Sequence, residues 1–145
     1  MDLESRERLL QSAGLTVLDP TWSGDVPGPM EAWRLIIGGE VTPSAVVHFR
    51  DGNEHLDEVE SRWESIAERN GLFDSRDEFF ISVAGVGSVN HPWARVRRNP
   101  GLSLAHILAP SVGEPEFVAM SIDGRVVCGV TTEEYDVWIV FRDFT

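Results

Sequence analysis

The stretch from Glu116 to Phe141 leaves the chain little freedom in how it folds. Glu116 to Ile122 and Arg125 to Val130 are β-rich runs separated only by Asp123-Gly124. A two-residue Asp-Gly link between such runs predicts a hairpin, with the positive φ angles of a type I′ turn. The link sets the register: Ile122 faces Arg125, Met120 faces Val127 and Ala119 faces Cys128. Side chains alternate along a strand, so Phe117, Ala119, Ser121, Val126, Cys128 and Val130 share one face. Val118, Met120, Ile122 and Val127 share the other. Both faces are apolar, which requires a further layer on each side. Thr131-Thr132-Glu133-Glu134 then turns the chain into Asp136 to Phe141, giving a three-stranded antiparallel meander over 116–142 near the centre of the sheet. Cys128, mid-strand among apolar neighbours, reads as a small buried hydrophobe.

The covering layer is legible at residues 53–69. Leu56, Val59, Trp63 and Ile66 recur at spacings of three, four and three, one stripe of an α-helix. Asp51 and Glu54 read as an acidic capping box, and Gly71 as the stop. Away from the stripe the helix carries Glu54, Asp57, Glu58, Glu60, Glu64 and Glu68, with Glu58 and Arg62 placed to pair four residues apart.

Shorter elements flank these two. Residues 3–13 read as a helix stopped by Gly14, Leu15–Leu18 as a strand, and Pro20–Pro29 as a loop carrying Trp22. Met30–Ile37 leans to helix, with Pro29 in its first turn and Gly38 at its end. Thr42–Phe49 stays open between helix and strand, as does Leu102–Leu108. Phe79–Val83 reads as a strand buried on both faces. Gly85-Val86-Gly87-Ser88 ends it, and Pro92 is expected to open a short helix through Arg98. The expected whole is one α+β domain over 1–145, its mostly antiparallel sheet covered by helices that include 53–69. At 145 residues and 16.1 kDa the chain suits one core better than two.

Charge narrows the partners. The formal net is −12, from 24 acidic residues and 12 basic ones, and all 12 are arginine. The absence of lysine suggests the codon bias of a GC-rich bacterial genome. So negative a field repels phosphates and anionic membranes and attracts basic partners. No apolar run approaches the ~20 residues of a membrane helix, and the charged N-terminus lacks a signal-peptide pattern; a cytoplasmic protein is expected. Within this acidic chain, residues 81–113 hold no acid and three arginines, Arg95, Arg97 and Arg98. Internal pairing with the acidic helix is the first reading of that island, and a small anion site the second.

For an anion the candidate residues are Gly85, Gly87, Ser88, Asn90 and His91 in the glycine loop, with Arg95 and Arg98 on the helix expected to follow. Glycines allow close backbone approach, a helix N-terminus offers free N–H groups, and His91 can move a proton near neutral pH. His91-Pro92-Trp93, followed by Arg98-Asn99-Pro100-Gly101-Leu102-Ser103-Leu104, resembles the helix-to-strand passage of split-barrel flavin-binding nitroreductases and oxidases. The resemblance covers about a tenth of the chain and implies a flavin, or another phosphate-containing ligand, at Gly85–Pro92. The helix at 53–69 has no counterpart in that barrel.

Catalytic and metal patterns are missing from the sequence. There is no Gly-x-Ser-x-Gly elbow, one cysteine cannot form a disulfide or thiolate cage, and His48, His55, His91 and His106 show no ligand spacing. Trp33, Trp63 and Trp138 fall on apolar faces, whereas Trp22 lies in a loop beside carboxylates, a composition common at protein-binding surfaces. The expected function is therefore a small acidic, non-enzymatic binding domain without a cofactor, in concrete form an immunity-type inhibitor of a basic toxin or nuclease. Its expected contact residues are Glu60, Glu64, Glu68 and Trp22. A small enzyme or ligand sensor, binding flavin or phosphate at the glycine loop, is the alternative.

Overall fold

The computed structural model describes residues 1–38, 40–85 and 90–144. In chain order the elements are α1 (Leu3–Ser12), β1 (Leu15–Trp22), α2 (Pro29–Ile36), β2 (Ala45–His48), α3 (His55–Arg69), β3 (Glu78–Val83), β4 (Trp93–Arg98), α4 (Leu104–Ile107), β5 (Phe117–Met120), β6 (Val126–Thr132) and β7 (Asp136–Asp143). The strands form one seven-stranded sheet in the order β1-β4-β3-β5-β6-β7-β2. Every pairing is antiparallel, and the fold is a single-domain α+β one.

The meander lies where its two apolar faces require. β5 is the central strand, and Ala119 pairs with Cys128 and Met120 with Val127, the register expected from sequence. Phe117, Ala119, Cys128 and Val130 belong to the larger core cluster, with Leu10, Trp63 and Leu104 from α1, α3 and α4. Val118, Met120 and Val127 belong to the second, with Ala32 and Ile36 from α2. The sheet is thus covered on both faces, by three helices on one side and by α2 on the other. The turn itself differs from type I′: Gly124 has φ 74°, and Asp123 is not in the left-handed region. The Gly124 N–H bonds the Ser121 carbonyl at 2.9 Å. The Asp123 carboxylate holds both the Ser121 hydroxyl (2.6 Å) and the Arg125 N–H (3.1 Å). With its side chain serving the loop, Asp123 does not need positive φ, and Ile122 and Arg125 fall outside the ladder.

Four expectations are corrected. Residues 93–98 are a strand rather than a helix, because β4 fills the gap between β1 and β3 and bonds both. Its alternation sends Ala94 and Val96 into one core and Trp93 into the other. β1 runs on through Pro20 to Trp22, which an edge strand tolerates because its outer side needs no N–H. The loop there shrinks to 23–28. α3 starts at His55 rather than residue 53: Gly52 (φ 69°) and Asn53 (φ 64°) are left-handed. Residues 51–53 form a 3-10 turn, and no side chain caps α3, so the Asp51–Glu54 capping box does not form. Finally, the sheet is open, with β1 and β2 as its edges, and is not the barrel that the flavoprotein resemblance implies. The two open segments resolve as a strand, Ala45–His48, and a one-turn helix, Leu104–Ile107. No helix among the described residues is long and apolar enough to cross a membrane.

Candidate docking groove between α3 and α4

Burying Leu56, Val59, Trp63 and Ile66 fixes the rotation of α3. The neighbouring stripe, Asp57, Glu60, Glu64 and Glu68, then turns toward the segment that carries α4. The two elements bound an open groove of about 530 Å³, with Leu102, Ser103 and His106 on its far wall.

Glu60 sits deepest. Its Oε1 accepts the Ala105 N–H at 2.9 Å, which caps the start of α4, where the Ser103 side chain makes no capping bond. Its Oε2 is buried without a hydrogen-bond partner. Burial pushes the carboxyl up to about 7, with the charges of Glu64 and Asp57 acting the same way and the Ala105 N–H and His106 opposing. Beside it His106 Nε2 meets Asp57 Oδ1 at 2.8 Å. Further along, Arg98 reaches from β4 to Glu64 at 3.1 Å and to Glu68 at 3.5 Å. It also holds Asp77 at 3.0 Å and lies 3.9 Å over the Phe73 ring. The four groove carboxylates therefore have one histidine and one arginine among them, and that arginine is shared with Asp77 as well.

The stripe Glu60, Glu64 and Glu68 comes together, and its pairing with the acid-free island is real but partial. Trp22 does not join it. That ring, partly buried, packs against the core cluster on the α2 face, with Phe80 4.3 Å from it between centroids. It packs so closely on Gly24 that a Cβ there would lie 2.4 Å from Cη2. Asp57 and His106 are groove residues that sequence reasoning does not single out. Asp57 is one acid among many, and His106 faces the groove only because α4 folds across α3.

The described residues of the glycine-loop set do not converge on one site. Gly87 and Ser88 lie outside the described residues. Gly85 follows β3, Asn90 is exposed, and no helix N-terminus follows them. His91 has a buried, unpartnered Nδ1; burial lowers its pKa, with the positive charge of Arg6 acting in the same direction. Arg95 and Arg98, three apart on a strand, point to opposite faces. Arg95 binds Glu78 at 2.7 Å and Arg98 binds the α3 carboxylates, so both charges are matched inside the protein. Cys128 is buried and its thiol is pushed up to about 12 by burial. Among the described residues no three His, Cys, Asp or Glu side chains are grouped to hold a metal ion.

No family model, curated protein or solved structure matches this chain. Its groove must speak for itself.

Proposed function

We propose that this chain is a small acidic, non-enzymatic binding domain that captures a basic protein, with the α3–α4 groove as the seat for an arginine or lysine of the partner. In its concrete form it is an inhibitor of the immunity type, covering a basic toxin or nuclease. The observation that carries this reading is Glu60: a carboxylate oxygen buried without a partner, held between Asp57 and Glu64 in a groove with more acids than bases. A guanidinium or ammonium entering the groove gives Oε2 its missing donor. It also relieves the repulsion among the carboxylates, which would otherwise oppose the folded state. The net charge of −12 supports the same reading, because complementary fields accelerate encounter.

The test is co-purification with the products of adjacent genes, followed by association kinetics of the chain and its Glu60→Gln/Glu64→Gln/Glu68→Gln variant. The variant should associate about tenfold more slowly at low salt, with the gap narrowing as salt rises. Unchanged kinetics, or stoichiometric flavin or phosphate in the purified protein, would overturn the reading.

A further inference from the structure

His55 is a buried histidine, 3% exposed, with both ring nitrogens engaged. The Arg50 N–H donates to its Nδ1 at 3.2 Å. Since a backbone N–H can only donate, Nδ1 carries no proton, so Nε2 must carry it and donates to the Gly113 carbonyl at 3.1 Å. The ring is therefore neutral and in a single tautomer.

Three parts of the chain meet at this ring. Ahead of it runs the 49–54 connection from β2 to α3, which includes the left-handed Gly52 and Asn53. Phe49, still 38% exposed, packs its ring at 76° to the imidazole with centroids 5.3 Å apart. Opposite stands the 111–114 turn, closed by the Glu114 N–H on the Ser111 carbonyl. Its Gly113 has φ 80° and approaches Asn53 so closely that a Cβ would lie 2.7 Å from Oδ1.

We propose that His55 is an acid-sensitive pin: its protonation releases the 49–53 segment from the start of α3 while keeping the 111–114 turn attached. A second ring proton, on Nδ1, points at the Arg50 N–H, and two donors facing each other cannot bond. The bond to Gly113 survives, because Nε2 still donates and now does so from a charged ring. Release is therefore one-sided. Beyond the Arg50–Glu58 ion pair and the Phe49 ring contact, the segment has few ties: residues 51–53 form a single 3-10 turn with no buried side chain. The charged groups on the elements touching the ring are Arg50 and Asp51 on the connection, Glu54, Asp57 and Glu58 at the start of α3, and Glu114 on the turn. Arg50 is held on Glu58, so the charge surplus around the ring is acidic. The pin is separate from the docking groove and stands without it.

The experiment is a pH titration of the intact chain by NMR, which reads the His55 tautomer and protonation directly, together with the amides of Arg50 and Glu114. At neutral pH His55 should show the Nε2–H tautomer. On acidification the Arg50 amide should shift and lose protection with the His55 midpoint, while the Glu114 amide, bonded to the Ser111 carbonyl, keeps its protection. His55→Gln offers one acceptor and one donor without a titrating charge, and should abolish the Arg50 transition; His48→Gln and His106→Gln should leave it in place. The opposite tautomer, a ring that stays neutral until global unfolding, or an Arg50 transition retained in His55→Gln would each overturn the proposal. Should His55→Gln not fold, the tautomer and the shared midpoint in the native chain decide by themselves.

Discussion

Trp63 Nε1 donates to the Cys128 carbonyl across 3.2 Å, tying the largest buried side chain of α3 to β6 beside the central strand. Both residues are fully buried, and the Trp63 ring meets Phe117 edge-on with centroids 5.4 Å apart. Trp63→Ala should cost about 3–5 kcal/mol, from lost burial and the cavity left behind. Trp63→Phe keeps most of the volume and loses the donor, so about 1–3 kcal/mol is expected. Urea midpoints of the two variants check the order.

Cys128 should be silent in the native protein. Its thiol, pushed up to about 12, forms almost no thiolate at about pH 8, and burial blocks the reagent. Aromatic disulfide reagents should label it only at the rate of unfolding. Fast labelling of the folded chain would contradict the buried position of β6.

Glu60 gives stability a defined pH dependence. Its folded pKa, about 7, lies above the ordinary 4.5, so folding favours the protonated form. That stability is fully present below pH 4.5 and is lost as pH rises through 7. Glu60→Gln retains an acceptor for the Ala105 N–H and cannot ionise. A tenfold change in a proton equilibrium corresponds to about 1.4 kcal/mol, so the variant should exceed the native chain by about 2–3 kcal/mol at about pH 8 and match it near about pH 4. Thermal melts across that range test the sign.

Arg98 and Arg97 are adjacent but unequal. Arg98, 17% exposed in its side chain, serves Glu64, Glu68 and Asp77, whereas Arg97 is exposed. The partly exposed partners weaken each pair, so Arg98→Gln should cost on the order of 1–3 kcal/mol. Arg97→Gln should fall within about 0.5 kcal/mol of the native protein. Equal effects in chemical denaturation would dismiss the hub.

Gly124 is constrained twice. Its φ of 74° is left-handed, and a Cβ would lie 3.1 Å from both Cβ and Cγ1 of Val26. Gly124→Ala should therefore cost about 1 kcal/mol, and Gly124→Val more, because a β-branched residue resists positive φ. A neutral Gly124→Val in thermal melts would mean that the loop refolds.

Legibility follows the physics of each segment. The meander and α3 are readable because strict alternation and the helical period encode which side is buried, whatever the partner. β4 reads wrongly because Pro92 and arginines three apart mimic a helix start. Only the vacancy between β1 and β3 tells Trp93–Arg98 to be a strand. The candidate site divides the same way. Glu60, Glu64 and Glu68 lie in line on any helix, but nothing local says that α4 crosses them, brings His106 to Asp57 and leaves one oxygen of Glu60 unpartnered.

The sequence by itself determined the helical stripe, the hairpin register, the two apolar faces of the central strands and the acidic surplus. These are properties of neighbours a few residues apart, fixed by backbone geometry. Tertiary structure alone decided the strand order, the path of β1 through Pro20, the separation of Trp22 from the acidic groove and the split of Arg95 and Arg98 between opposite faces. Each depends on which distant segment fills a space or satisfies a buried polar group, and that is a long-range choice local patterns do not encode.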